Sequence, residues 1–158
     1  MQSVLLSVHV LAGILFVGGS AVAVSLFPRY ARPVPADGGG GEDGGGGEEE
    51  KGSGGNRAVA LLLHRITRVY GALGLIVPTV GIVLALTQDR MTEVWVVTAM
   101  VLTAVAGGLL ALQIYPRQRD ALASSAESGE LRTLKMLSGI FNLLWTVVVV
   151  LMIVRPGA

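Results

Sequence analysis

The sequence predicts an all-α fold, a bundle of four transmembrane helices interrupted by a disordered Gly/Glu-rich loop. Three observations predict it. Of the 158 residues, 52% are hydrophobic and 15% are charged, against about a quarter charged in an average soluble domain, and the mean hydropathy is +0.66. The apolar residues gather in four stretches, 4–27, 69–87, 94–115 and 137–154, none of which contains Asp, Glu, Lys or Arg. At a rise of about 1.5 Å per residue, each stretch is long enough to cross a hydrocarbon core of roughly 30 Å.

Residues 1–28 read as the first transmembrane helix. A secretory signal is the other reading, but no basic segment precedes the apolar run and Pro28-Arg29-Tyr30 makes a poor cleavage site. Residues 29–56 change character abruptly, with Pro33 and Pro35 followed by GGGGEDGGGGEEE at 38–50. Low hydrophobicity, clustered acids and abundant glycine cannot offset the entropy of ordering, so this segment reads as a disordered acidic loop. A Gly-rich coil of this length has an end-to-end distance of about 30 Å, which suits a spacer, an acidic docking tail being the other reading. Residues 57–87 comprise an interfacial helix, RAVALLLHRITR at 57–68, running into the second transmembrane helix. Pro78 should kink that helix, with Thr79 or a neighbour helping to satisfy the freed carbonyl. After the short turn 88–93 come the third transmembrane helix at 94–115, a connection at 116–136 and the fourth helix at 137–154.

Basic residues set the expected orientation. Arg29, Arg32, Lys51, Arg57, Arg65 and Arg68 lie between the first two helices, and Arg117, Arg119, Arg132 and Lys135 between the last two, leaving only Arg90 and Arg155 for the other side. The positive-inside rule then places both long connections, including the Gly/Glu-rich loop, in the cytoplasm and both termini outside a cell (plasma) membrane. Arg29, Arg65, Arg68, Arg117, Arg132 and Lys135 read as headgroup anchors.

Leu26-Phe27-Pro28-Arg29 and Ile114-Tyr115-Pro116-Arg117 each place an aromatic at the interface, a proline that stops the helix and a basic anchor. The helices that follow also begin alike, which suggests two repeated helical hairpins related by an axis along the membrane normal; anchors common to all helix ends would look the same. Small residues mark the expected packing and partner-contact faces. These are Gly13, Gly19 and Ala23 on the first helix, Gly74, Pro78 and Gly81 on the second, and Ala99, Thr103, Gly107 and Ala111, at strict four-residue spacing, on the third.

Chemistry is sparse. The chain has no cysteine and two histidines, which excludes disulfides, iron–sulfur clusters and thiolate zinc sites. No Walker loop, no glycine fingerprint opening a helix after a strand and no HExxH is present. The bases follow headgroup positions rather than clustering, which disfavours nucleic acid. The uncharged spans leave no intramembrane carboxylate to carry protons or cations. His9 is the one candidate cofactor-binding residue, for haem. A bis-histidine haem with His64 is excluded by length, because the helix from His9 to Phe27 rises about 27 Å, so only a haem or metal shared between subunits stays open. The plainer reading of His9 is a histidine satisfied by a neighbouring hydroxyl or carbonyl. Gln113 and Asn142 are placed to hydrogen-bond across the third and fourth helices.

At His9-Val10-Leu11-Ala12-Gly13 with Gly18-Gly19, at 65–71, at Tyr115-Pro116-Arg117 and at Leu151-Met152-Ile153-Val154-Arg155-Pro156-Gly157, the chain resembles small four-helix bacterial integral membrane proteins of unknown function. Those are distantly similar to the membrane part of copper-resistance D proteins, although the five scattered Met residues here make no copper cluster. The Gly-, Ala- and Val-rich style is similar to actinobacterial sequences, and in that group such proteins occur as accessory subunits of the cytochrome bcc–aa3 respiratory supercomplex. The resemblance thus implies an accessory subunit of an electron transport complex in the cell membrane. The leading expectation is a non-catalytic subunit with no catalytic residues and no metal site, packed against lipid and other integral membrane subunits of a respiratory chain. A haem- or copper-handling protein using His9 is the second expectation. A small transporter, resting on the repeat and the Pro78 kink, is the third.

Overall fold

The computed structural model describes residues 2–31, 46–123 and 128–157. Every regular element among the described residues is a helix. Four helices, Ser3–Tyr30, Asn56–Thr87, Val94–Ala123 and Ser128–Val154, are long and apolar enough to cross a membrane, which is compatible with a multi-pass membrane protein. They are called first to fourth below. The first packs on the second and the fourth, the third packs on the fourth, and the third and second close the bundle. One end of the bundle holds both described chain ends and the 88–93 turn, with Arg90 and Arg155; most of the other described basic residues gather at the opposite end.

The helices run beyond the uncharged stretches. The first continues through Pro28 to Tyr30, the third through Pro116 to Ala123, and the fourth starts at Ser128, where the sequence suggested 28, 115 and 137. The prolines therefore do not stop these helices. The reason lies in what the extensions bury: Gln118, Ala121, Leu131 and Leu134 are all buried there, so packing carries the helix past the apolar run. Similarly, the helix that includes the second span is formed from Gly46, within the loop expected at 29–56, because elongating an established helix adds one hydrogen bond per residue fixed. The rest of that loop, 32–45, lies outside the described residues, as does 124–127 of the expected 116–136 connection.

Three prolines interrupt the backbone ladder, and each interruption is handled differently. Pro28 has no N–H for the Val24 carbonyl four residues back. The Ser138 hydroxyl of the fourth helix lies 2.8 Å from that carbonyl and also 2.8 Å from its own Leu134 carbonyl. Ahead of Pro78 the second helix opens into a turn at Gly74 and Leu75. There the Val77 N–H bonds the Gly74 carbonyl at 3.1 Å, and the Thr79 hydroxyl bonds the Leu75 carbonyl at 2.8 Å. Gly74 eases that turn, since an added Cβ would lie a tight 3.0 Å from the Tyr70 carbonyl oxygen. Pro116 follows a π-helical turn, Leu110–Ile114. The first helix has a second π turn, Gly13–Val17, with no proline nearby.

The core sits toward the basic end, where Phe27, Ile114, Leu134 and Phe141 are the largest apolar side chains fully enclosed. Outside it, Ile14, Leu112, Leu143 and Ile153 are each more than 60% exposed, a surface suited to lipid rather than water. At the opposite end Asp89 takes a left-handed φ of 55° as the second helix closes with Arg90 N–H on the Ala85 carbonyl at 2.9 Å. The Glu93 carboxylate accepts the Trp95 indole N–H, and the Arg155 guanidinium lies 5.8 Å from the Trp95 ring centroid, tying the end of the fourth helix to the turn.

Ser138→Ala should lower stability by about 1–2 kcal/mol, read by thermal unfolding in mild detergent. In a Pro28→Ala background, where residue 28 regains an N–H for the Val24 carbonyl, the cost of Ser138→Ala should shrink.

Candidate functional site

His9 and His64 lie on neighbouring helices but near opposite ends. His9 Nδ1 is 3.0 Å from the Val77 carbonyl oxygen, an atom that can only accept, so Nδ1 carries the proton. The ring rests on Gly81, where an added Cβ would lie 2.9 Å from His9 Cε1. His9 thus links the first helix to the turn that Pro78 loosens in the second. The carbonyl orients the ring and leaves Nε2 as the nitrogen with a free lone pair in the neutral form, the atom a metal or haem iron would take. Among the described residues no three His, Asp or Glu side chains converge on a point.

His64 belongs to an aromatic and polar cluster at the basic end. It stacks on Tyr115 with centroids 4.8 Å apart and planes 18° from parallel, and lies 6.5 Å from the Phe27 centroid. The two aromatic-Pro-Arg motifs thus deliver their aromatics to the same histidine. His64 Nδ1 donates to Gln118 Oε1 at 3.3 Å, while Gln118 itself is fully buried and its Nε2 has no partner. The bases expected to anchor at headgroups, Arg29, Arg65, Arg68, Arg117, Arg132 and Lys135, are all exposed. Arg57 adds a tie between helices, donating to the Leu122 carbonyl at 3.4 Å.

The small residues divide into sockets and open positions. Gly19 receives the ring of Tyr70, and Gly81 receives His9. Gly71, which the sequence reading did not single out as a contact, receives Leu110, 2.9 Å from an added Cβ. Ala23 is 1% exposed and in the core, and Pro78 is half-buried. Gly13 meets nothing within 4 Å. The third-helix stripe does not keep to one face. Ala99 is buried, Thr103 half-buried, and Gly107 and Ala111 exposed. At 3.6 residues per turn, a four-residue repeat rotates by about 40° each step, so the stripe winds out of the bundle. The inward line is instead Val96, Ala99, Ala106, Leu110 and Ile114, all buried. Ala104, Gly107 and Ala111 are exposed on the outer face beside half-buried Gly108, and neither glycine has a neighbour within 4 Å of an added Cβ.

A groove of about 760 Å³ runs between the first and fourth helices, walled by Gly13, Val17, Gly18 and Ala21 on one side and Trp145, Thr146 and Val149 on the other. Asn142 lines it too, and its Nδ2 donates to the Ser25 hydroxyl at 2.7 Å. Ser25 in turn donates to the Ala21 carbonyl at 2.7 Å. Asn142 therefore bonds to the first helix rather than to Gln113, which is exposed. Asn142 Oδ1 and Trp145 Nε1 are both shielded from solvent and without a partner. The pairing of Asn142 with Ser25 left no mark in the sequence beyond two polar residues in apolar runs.

Compared with known proteins, the chain matches no family model, no curated protein and no solved structure.

His9→Ala and Gly81→Ala should each destabilise the fold by about 1–3 kcal/mol, the first by losing a hydrogen bond and packing, the second by overfilling the ring's socket. In the double variant the methyl at 81 meets no ring, so the combined loss measured by detergent unfolding should fall below the sum.

Proposed function

We propose that the chain is an integral membrane protein acting as a non-catalytic accessory subunit, packed against a larger membrane complex through the outward face of its third helix. The observation that carries this reading is the open patch of Ala104, Gly107, Gly108 and Ala111. Helices in lipid associate through close backbone approach and van der Waals contact, for which small residues four apart are suited. Acyl chains gain little from such a surface; a neighbouring helix gains much. The resemblance noted above makes a respiratory complex of the cytochrome bcc–aa3 type the first partner to seek. Gly107→Leu should cut stoichiometric co-purification of the partner by about tenfold or more while leaving the isolated chain as stable as before, since the new side chain displaces nothing. Recovery of the wild-type chain alone after cross-linking, or an undiminished partner with Gly107→Leu, would overturn it.

The exposed bases at one end support an orientation with that end in the cytoplasm of a plasma membrane and both termini outside. The chain has no cysteine, so single replacements report cleanly. An impermeant maleimide on intact cells should label Thr92→Cys and spare Ser128→Cys until the membrane is opened; the reverse pattern would invert the topology.

A second reading, haem or copper handling at His9, is favoured by the Val77 carbonyl that leaves Nε2 free for a ligand. Its mark would be a Soret band or bound copper that disappears in His9→Ala.

A further inference from the structure

We infer that the chain carries a hinge, in which Gln2–Ala12 of the first helix and Ile76–Thr87 of the second move together as one arm. The arm swings about the π turn Gly13–Val17 and the break at Gly74-Leu75, opening and closing the groove against the fourth helix. The third and fourth helices stay joined to the core at the basic end. The device is separate from the docking face of the third helix and stands whether or not that face binds a partner.

Three irregular turns lie near one level of the bundle. The π turn of the first helix and the break in the second both fall between the same two contacts, His9 against Gly81 and Tyr70 against Gly19, and so face each other. The π turn of the third helix starts at Leu110, which packs on Gly71 beside Tyr70. Helices bend at π turns and near prolines, where the backbone ladder is interrupted, and Pro78 cannot supply the Gly74 carbonyl with the N–H four residues on. The fourth helix runs unbroken from Ser128 to Val154.

Packing changes at the same level. The core that joins all four helices lies on the basic side and includes Phe27, Leu63, Ile114 and Phe141. Beyond the irregular turns, the buried Ala12, Val77, Leu84, Val96, Ala99 and Val148 stand outside that core. There the first helix packs on the second and the third on the fourth, with slight contact between Gln2–Ala12 and the fourth helix. Among the described residues, the hydrogen bonds from the fourth helix to the first reach Val24 and Ser25, on the core side of the π turn. Past it the groove of about 760 Å³ lies between the two helices. His9 holds the arm together, its Nδ1 donating to the Val77 carbonyl at 3.0 Å. Opposite, the Arg155 guanidinium lies 5.8 Å from the Trp95 centroid and keeps the fourth helix with the third. At that end the two pairs are linked by the 88–93 turn, which leaves the side between the first and fourth helices able to part.

From Gln2 to Gly13 the arm is about 15 Å long, so a change in bend of about 20° moves its tip by about 5 Å. The chain has no cysteine, so paired spin labels on the full chain in phosphatidylcholine nanodiscs read that movement by double electron–electron resonance. Val4→Cys with Val154→Cys, exposed sites on the arm and on the fourth helix, should give a distance distribution about 5 Å wider than Arg29→Cys with Arg132→Cys at the core end. Val4→Cys with Leu86→Cys, both within the arm, should be as narrow as the core pair. Pro78→Ala, which returns an N–H for the Gly74 carbonyl, should narrow the distribution between residues 4 and 154 toward that of the core pair. The three label pairs decide the matter even if this variant fails to fold. A distribution between residues 4 and 154 as narrow as the core pair would overturn the hinge, and so would one that Pro78→Ala leaves unchanged. A broad distribution between residues 4 and 86 would overturn it in favour of a first helix that frays alone.

Discussion

A backbone surrounded by apolar groups finds no water to bond, so each N–H and C=O must be satisfied within the protein. That constraint makes every described element a helix, and it makes the prolines the places where tertiary structure has to intervene. At Pro28 the Ser138 hydroxyl of the fourth helix is within reach of the Val24 carbonyl. At Pro78 the helix tightens locally onto Gly74 and adds the Thr79 hydroxyl to Leu75. Just beyond that turn the Val77 carbonyl accepts from His9 of the first helix. Two of the side-chain bonds that join helices, Ser138 to Val24 and His9 to Val77, thus lie within about a turn of a proline.

Glycine acts on the other side of this balance. Where a neighbour supplies a ring or a branched side chain, as Tyr70 does at Gly19, His9 at Gly81 and Leu110 at Gly71, the missing Cβ sets the distance between two helices. Where nothing approaches, as at Gly13, Gly18, Gly107 and Gly108, the same residue leaves a shallow open surface. The first group holds the second helix to the first and the third. The second group divides between the groove on the first helix and the open patch on the third.

Uncharged length is what made the four helices legible, since lipid-crossing stretches must exclude charge over about 20 residues. Their ends were not legible, because the charge pattern marks where an apolar run stops, whereas Leu131 and Leu134 carry the fourth helix further by packing in the core. Gly19, Gly81 and Ala23 were readable as contacts from residue size. Ala111 and Gly107 were assigned to the face of Ala99 by their spacing, and helical precession separates them. His9 was readable as a histidine satisfied by a neighbour, though not as a partner of Val77, and the Gln113–Asn142 pairing was replaced by Asn142 with Ser25. Ser138 carried no signal beyond being a small polar residue in an apolar run.

Composition by itself marked the four helices: stretches free of charge with basic residues beyond them specify helices compatible with a membrane, whatever their arrangement. Which glycine is filled and which stays open, which hydroxyl meets the carbonyl that Pro28 leaves without a donor, and where Asn142 and Trp145 keep unpaired atoms were decided only when the helices packed. These are properties of pairs of residues on different helices, up to 117 positions apart for Asn142 and Ser25, and the rotation of each helix about its own axis, which brings them together, is set by the packing of all four.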